Sequence, residues 1–365
     1  MTDSRLAHAP TPSQPAATRP PALQLGRVRV WPPVLQAPMA ALTNLPMRTL
    51  AEEAGCGLTV TEFLAAPALA ARRPKMVRKL TASRDDRPYS VQIFGRDPNE
   101  MRRAAALVVG LGAPLVDINM GCPAKKVTKG SCGAALMREP TLAVELVHAV
   151  REGVGERADV TVKMRTGWDE ASKNAPELAA RVVDAGAVAV TVHGRTREQR
   201  FGGTVDLESI RRVKQAVAVP VIANGDIVDL PSLERALEVT GADGVMIGRA
   251  ACGDPWLFSR VRAWWEGQPI PALPTPTERL GMYRRHLGLY LEIEGETRAV
   301  IEMRKFAAWY LREWPGAAQL RKAIYAVEGI PELDAILDDA ARLFDGGLDA
   351  LRSRGVSYNA CWPIR

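Results

Sequence analysis

Residues 219–249, VPVIANGDIVDLPSLERALEVTGADGVMIGR, hold one complete strand–helix–strand unit. The runs 219–223 and 244–247 are short, apolar and rich in β-branched residues, the composition of strands buried on both faces. Between them, the helical pattern opens on Asp229 with Pro231 just inside and closes on Gly241, which are start and stop signals. Both strands end in small polar turns, Asn224-Gly225-Asp226 and Gly248-Arg249.

The same alternation runs outward from this unit. Further strands are predicted over 34–37, 58–61, 89–93, 115–119, 160–163 and 189–193, separated by helical patterns such as LPMRTLAEEA, PNEMRRAAALVVGL and PTLAVELVHAVREGV. Eight strand–helix units at a spacing of roughly 30 residues predict an α/β fold, a (β/α)₈ TIM barrel, over an open doubly wound sheet. A dinucleotide-binding sheet would also place GxGxxG directly after the first strand, and none is there. The expected organisation is a flexible lead-in over 1–27, the barrel over 28–265 and a Pro-rich linker over 266–278. A small all-helical domain over 279–355 and a short tail over 356–365 follow.

Composition narrows the class. The 365 residues are 47% hydrophobic and 24% charged, enough for a sizeable core. No run of about 18 uncharged apolar residues occurs, so no membrane span is expected. Five cysteines without a CxxC pair argue against a zinc ribbon or a disulfide scaffold, and the N-terminus lacks an apolar signal region. A cytoplasmic protein with reduced thiols is expected. The net charge of +7 suggests a polyanionic partner only if the basic residues cluster.

In such barrels functional groups gather at the carboxyl ends of the strands. Here those ends carry Pro38, Met39 and Ala40, then Gln92, Asn119 and Cys122, then Lys163 and Arg165, then His193 and Arg195. Leaving such groups buried and unpaired costs about 1–3 kcal/mol each, so their placement points to use. The turns after strands seven and eight, with Gly225, Asp226, Gly248 and Arg249, suit a phosphate-bearing cofactor or substrate. Lys163, at the mouth with no acidic residue ending a neighbouring strand, suits stabilisation of a reduced flavin ring; a salt bridge is the alternative. Of the four histidines, only His193 falls at a predicted strand end. No second histidine or carboxylate shares its spacing, so no metal site is expected.

Cys122 sits in a tight turn, Gly121-Cys122-Pro123, and Lys125, Lys126 and Lys129 follow closely and could lower its pKa. Nucleophile, metal ligand and general acid are all open roles, with few partners in view for the first two. Basic residues recur on the same face: Arg72, Arg73, Lys75, Arg78, Lys79, Arg84 and Arg87 after strand two, and Arg195, Arg197 and Arg200 after strand six. With the three lysines these outline a polyanion footprint. Arg304 and Lys305, beside Trp309 and Tyr310, add a basic and aromatic mixture in the helical part.

The ordered set Ala37-Pro38-Met39-Ala40, Asn119-Met120-Gly121-Cys122-Pro123-Ala124-Lys125-Lys126-Val127, Lys163-Met164-Arg165-Thr166-Gly167-Trp168, His193-Gly194-Arg195-Thr196-Arg197, Asn224-Gly225-Asp226-Ile227 and Gly248-Arg249-Ala250 resembles the tRNA-dihydrouridine synthases, most closely their bacterial B subgroup. The resemblance spans nearly everything after the lead-in. It implies an FMN-containing barrel with a helical domain that grips tRNA, and no obligate protein partner, as a monomer. Pro38, Met39, Ala40, Gln92, Lys163, Asn224, Gly225, Asp226, Gly248 and Arg249 would hold FMN, with His193 near the flavin. Asn119 and Arg165 would help hold the base; Lys125, Lys126, Arg195, Arg197, Arg304 and Lys305 would serve the RNA. The implied chemistry is reduction of FMN by NADPH, hydride transfer from flavin N5 to uracil C6, and protonation of C5 by Cys122, the catalytic acid. The target base must leave the folded tRNA to reach the pocket. In one departure, Phe306 stands where many relatives carry histidine. The competing readings are an FMN barrel that reduces a small pyrimidine or enone, a non-catalytic RNA-binding barrel, and a flavin-free phosphate-binding isomerase.

Overall fold

The computed structural model describes residues 19–80, 88–312, 314 and 317–345. His8, Arg84, Arg87, Cys361 and the tail over 356–365 lie outside the described residues. The strands are β1 (Leu23–Leu25), β2 (Val28–Val30), β3 (Val34–Gln36), β4 (Leu58–Val60), β5 (Leu64–Ala65), β6 (Tyr89–Phe94), β7 (Leu115–Met120), β8 (Asp159–Arg165), β9 (Ala189–His193), β10 (Val221–Asn224) and β11 (Gly244–Ile247).

β3, β4 and β6 to β11 pair in parallel, and a β4–β6 pairing closes them into a barrel with helices between the strands. All eight barrel strands fall where the apolar runs predict them, with ends shifted by a residue or two. The unit over 219–249 shows why. The Asp229 side chain accepts from Ser232 N at 2.9 Å in a capping box, and Gly241 ends Leu230–Thr240 in the left-handed conformation at φ +64°.

The antiparallel β1–β2 hairpin was not expected, because residues 19–27 read as flexible lead-in. Leu23, Leu25 and Val30 are buried against Leu35, Leu58, Leu115, Ala189, Ile222 and Met246. Those six come from separate barrel strands, so the hairpin plugs the amino end of the barrel with apolar surface. Composition hid this, since only three residues of each strand carry the pattern.

Helix Trp256–Glu266 ends the barrel, and Pro276–Glu294, Glu296–Tyr310, Ala317–Ala326 and Ile330–Asp345 follow as helices. The tail helices share one apolar core that also takes in Met47 from the barrel helix Leu45–Glu53. Asn44 donates to the Tyr290 hydroxyl across the same junction. A second contact joins the loop after β11 to the tail. Gly253 has φ +77°, and a Cβ there would lie 2.5 Å from the Trp309 carbonyl carbon. No described helix is long and apolar enough to cross a membrane.

Candidate active site

Strand register builds the site. It sets Gln92 beside Asp117, Asn119 beside Lys163, Arg165 beside His193 and His193 beside Asn224. Asn119, Lys163, Arg165, His193 and Asn224 lie toward the carboxyl ends of their strands, where the barrel mouth opens on a cavity of about 700 Å³. All the residues expected to hold a cofactor line it, as do Cys122, Asn119, Lys125 and Arg165. Lys126, Arg195, Arg197, Arg304 and Lys305 do not.

A chain of buried hydrogen bonds positions Cys122. Thr161 Oγ1 and Gln92 Nε2 each donate to the Asp117 carboxylate at 2.6 Å, and Asn119 Nδ2 donates to Gln92 Oε1 at 2.7 Å. Asn119 Oδ1 then accepts from Cys122 N at 2.9 Å and Gly121 N at 3.1 Å. Asn119, expected to hold the base, thus fixes the turn that carries the thiol. The Cys122 carbonyl accepts from Ala134 N at 3.1 Å, which pins the loop from its far side. Burial raises the Asp117 pKa, and the Gln92 and Thr161 donors oppose that shift.

The electrostatics differ from the sequence expectation at one point. Burial pushes the Cys122 thiol above its ordinary range, while the Ala124 backbone N–H, Arg165 and Lys163 pull the other way. The nearby lysines of the loop do not reverse it. The group is held as a thiol, suited to give a proton rather than to attack as thiolate.

Lys163 Nζ donates to Asn224 Oδ1 at 2.8 Å, and Asn224 Nδ2 donates to Met246 O at 2.8 Å. Burial, helped by the Arg165 charge, lowers Lys163 to about 8. His193 falls well below its usual value through burial and the surrounding cations Lys163, Arg165, Arg195 and Arg249, so it is a neutral imidazole. Gly225 has φ +121°, and a Cβ there would come within 2.9 Å of His193 Cδ2 and of Val205. Only glycine lets the backbone turn here beside the histidine.

Arg165 is buried. Its Nε donates to Gly121 O at 2.7 Å and its Nη1 to Thr196 O and Arg200 O at 2.8 Å. Burial lowers it to about 10. Arg195, expected at the RNA, is also buried and fully engaged, with Asp226 at 2.9 and 2.5 Å and with the carbonyls of Gly202 and Gly203 at 2.9 and 2.6 Å. It braces the turn after β10 instead of facing solvent. Arg304 donates to Val327 O and Lys305 to Glu302, so both are turned to the tail's own framework. Phe306 lies 4.4 Å from His286, ring to ring, inside the tail core.

Sequence reasoning missed Phe63 and Phe201 in the cavity wall and gave Trp309 no place there. Phe201 lies under the Arg249 and Arg165 guanidiniums at 5.3 and 5.7 Å. Among the described residues no cluster of metal-ligating side chains occurs.

Comparison with known proteins agrees with this geometry. A family model described as "Dihydrouridine synthase (Dus)" matches residues 35–344. A probable tRNA-dihydrouridine synthase of Rhodobacter capsulatus is 43% identical over 300 residues, covering 82% of this chain and 91% of that protein. The tRNA-dihydrouridine synthase B of Serratia marcescens is 39% identical over 314 residues, covering 85% and 92%. Among solved structures, a 2-naphthoyl-CoA reductase complex superposes with a TM-score of 0.54 at 13% identity, over 70% of this chain and 52% of that one, which shows the shared barrel fold. By its sequence and by the residues that line its barrel mouth, the chain is a member of the dihydrouridine synthase family of enzymes.

Proposed function

We propose that this enzyme reduces uridines of tRNA to 5,6-dihydrouridine, with FMN held at the barrel mouth, NADPH as the source of electrons and Cys122 as the proton donor. The observation that carries the reading is one cavity lined by both Cys122, whose pKa burial raises, and the buried amine of Lys163.

The residues present fit FMN. The cavity falls in the range of cofactor sites, roughly 300–1,000 Å³. The turns at Gly225 and Gly248 border it without side chains, and Lys163 brings positive charge to its floor. When bound, FMN supplies the hydride for uracil C6.

The chain's own groups do the rest. Lys163, held by Asn224, would favour negative charge on the flavin when it is bound. Neutral His193, which lines the same cavity, would offer a hydrogen bond to the flavin without adding a second charge. Asp117, Gln92 and Asn119 hold the Cys122 turn, so the thiol stays aimed at one point of the cavity. There it gives its proton to C5 of the base. The base is extruded from the RNA to enter, and the loop lysines Lys125 and Lys126 meet the polyanion outside. A cytoplasmic location and a monomer accompany this reading, as does a division into barrel and RNA-gripping helical tail near the segment between Glu266 and Pro276.

The test is nucleoside mass spectrometry on unmodified tRNA transcript incubated with purified protein, FMN and NADPH. A two-hydrogen gain on uridine is expected. Protein that holds FMN and oxidises NADPH, yet leaves tRNA unchanged while reducing free uracil or an enone, would replace this reading with a small-molecule reductase.

A further inference from the structure

Four arginines near the mouth are disposed in two different ways. Arg165 and Arg195 are buried and satisfied. Arg138 and Arg197 instead stack on a single indole, with guanidinium carbons 3.8 and 4.4 Å from the centre of the Trp168 ring. Two like charges are therefore held within about 8 Å of each other. Neither is paired with a carboxylate among the described residues, and Arg197 Nε is buried with no hydrogen-bond partner there.

The stack is built, not incidental. Arg197 N donates to Gly167 O and Glu198 N to Trp168 O, both at 3.0 Å, so the loops after β8 and β9 are laced together on either side of the ring. Gly167 is confined, since a Cβ there would lie 2.5 Å from Ser172 O. The tight return of 167–173 fixes where Trp168 stands. Arg138 comes from a third segment, Gly133–Arg138, whose Ala134 N binds the carbonyl of Cys122. The stack is also one step out from the cavity. Arg165, which lines the cavity, donates to the carbonyl of Thr196, the residue before Arg197.

We propose that Arg138, Trp168 and Arg197 form a phosphate clamp that grips a backbone phosphodiester of the RNA next to the extruded nucleotide. This rests on the reading of tRNA as substrate and deepens it. Two unpaired guanidiniums at this spacing repel one another, and the single negative charge of a phosphodiester that accepts from their N–H groups relieves that repulsion. The aromatic ring holds their planes, so the terminal N–H groups keep their donors for a ligand. The clamp carries no base readout, so it serves every substrate sequence alike and sets the distance from the phosphate to the Cys122 turn.

The test is binding of unmodified tRNA transcript to the FMN-loaded enzyme across a salt series. Arg138→Gln and Arg197→Gln are compared with Arg211→Gln, whose guanidinium is exposed and paired with Glu208 on an outer helix. Each clamp variant is expected to weaken binding about tenfold and to lower the slope of log K against log salt by about one, with the double variant losing less than the sum. Trp168→Leu should do the same with all charges kept, and unchanged flavin content and melting temperature show that the loops still fold. If wild type binds tRNA and the clamp variants match Arg211→Gln in slope, the stack is only a brace and the clamp is overturned. If wild type itself fails to bind tRNA, the assignment of substrate falls and the clamp with it.

Discussion

Lys163 on β8 and Asn224 on β10 are joined by a 2.8 Å hydrogen bond that passes over the intervening strand β9. A buried cation is thus held by an amide, with the Asp117 carboxylate nearby but not bonded to it. Burial lowers its pKa from 10.5 to about 8. In the unfolded chain the amine keeps its proton to about 10.5, so burying this group costs stability below pH 8 and the cost fades as pH rises toward 10.5. An anionic ligand reverses the preference. Affinity for FMN is expected to hold to pH 8 and then fall by up to about tenfold per pH unit. Lys163→Met should bind weakly and without this dependence. Flavin fluorescence titrations at several pH values check both.

Cys122→Ala should retain FMN and its oxidation of NADPH, and lose about 10²- to 10⁴-fold in single-turnover reduction of tRNA, the usual worth of a positioned acid. Because burial raises the thiol's pKa, the wild-type proton donor should stay loaded well past neutrality. A rate that collapses between pH 7 and 8, or rapid alkylation of Cys122 at pH 7, would contradict a protonated thiol.

At Gly225 the φ of +121° and the 2.9 Å approach to His193 and Val205 leave no room for a methyl group. Gly225→Ala is expected to lose about 2 kcal/mol or more of stability and to purify with much less flavin. Thermal melts with and without added FMN measure the two effects separately.

The tail carries its own pH dependence. His286 is buried, 3.3 Å from the Tyr310 hydroxyl through Nδ1, and its pKa is lowered from 6.5 to about 3 by burial, with the Lys305 charge adding to it. A depressed folded-state pKa gives stability that is present above pH 6.5 and lost as pH falls. The loss should run at about 1.4 kcal/mol per pH unit between 6.5 and 3. His286→Leu should flatten that slope in denaturant melts, whatever it does to stability at pH 7.

Most of the barrel was legible because buried parallel strands leave continuous apolar runs, and those of 115–119 and 189–193 are unmistakable. The site was legible for a related reason: polar residues such as Asn119, Lys163 and Asn224 interrupt those runs at their ends. Roles were harder to read than places. Arg165 was expected at the base and Arg195 at the RNA, yet both are buried against loop carbonyls, and nothing local to the sequence shows which carbonyls converge on them. Phe63 and Phe201 gave no signal either, and Trp309 was read only as part of an RNA-binding mixture, since a single aromatic has no periodicity that separates cavity wall from core. The β1–β2 hairpin was lost for want of length.

That hairpin also governs traffic. With Leu23, Leu25 and Val30 stoppering the far end of the barrel, the cavity opens, among the described residues, at the carboxyl mouth. Under the proposed reaction the nicotinamide donor and the RNA must both come and go through it, and neither can wait inside while the other reacts. Each turnover then becomes two visits in sequence: the spent donor departs before the RNA enters, and the two reactants exclude one another. Steady-state rates measured against both should give parallel double-reciprocal lines, and excess NADPH should slow the RNA half of the cycle.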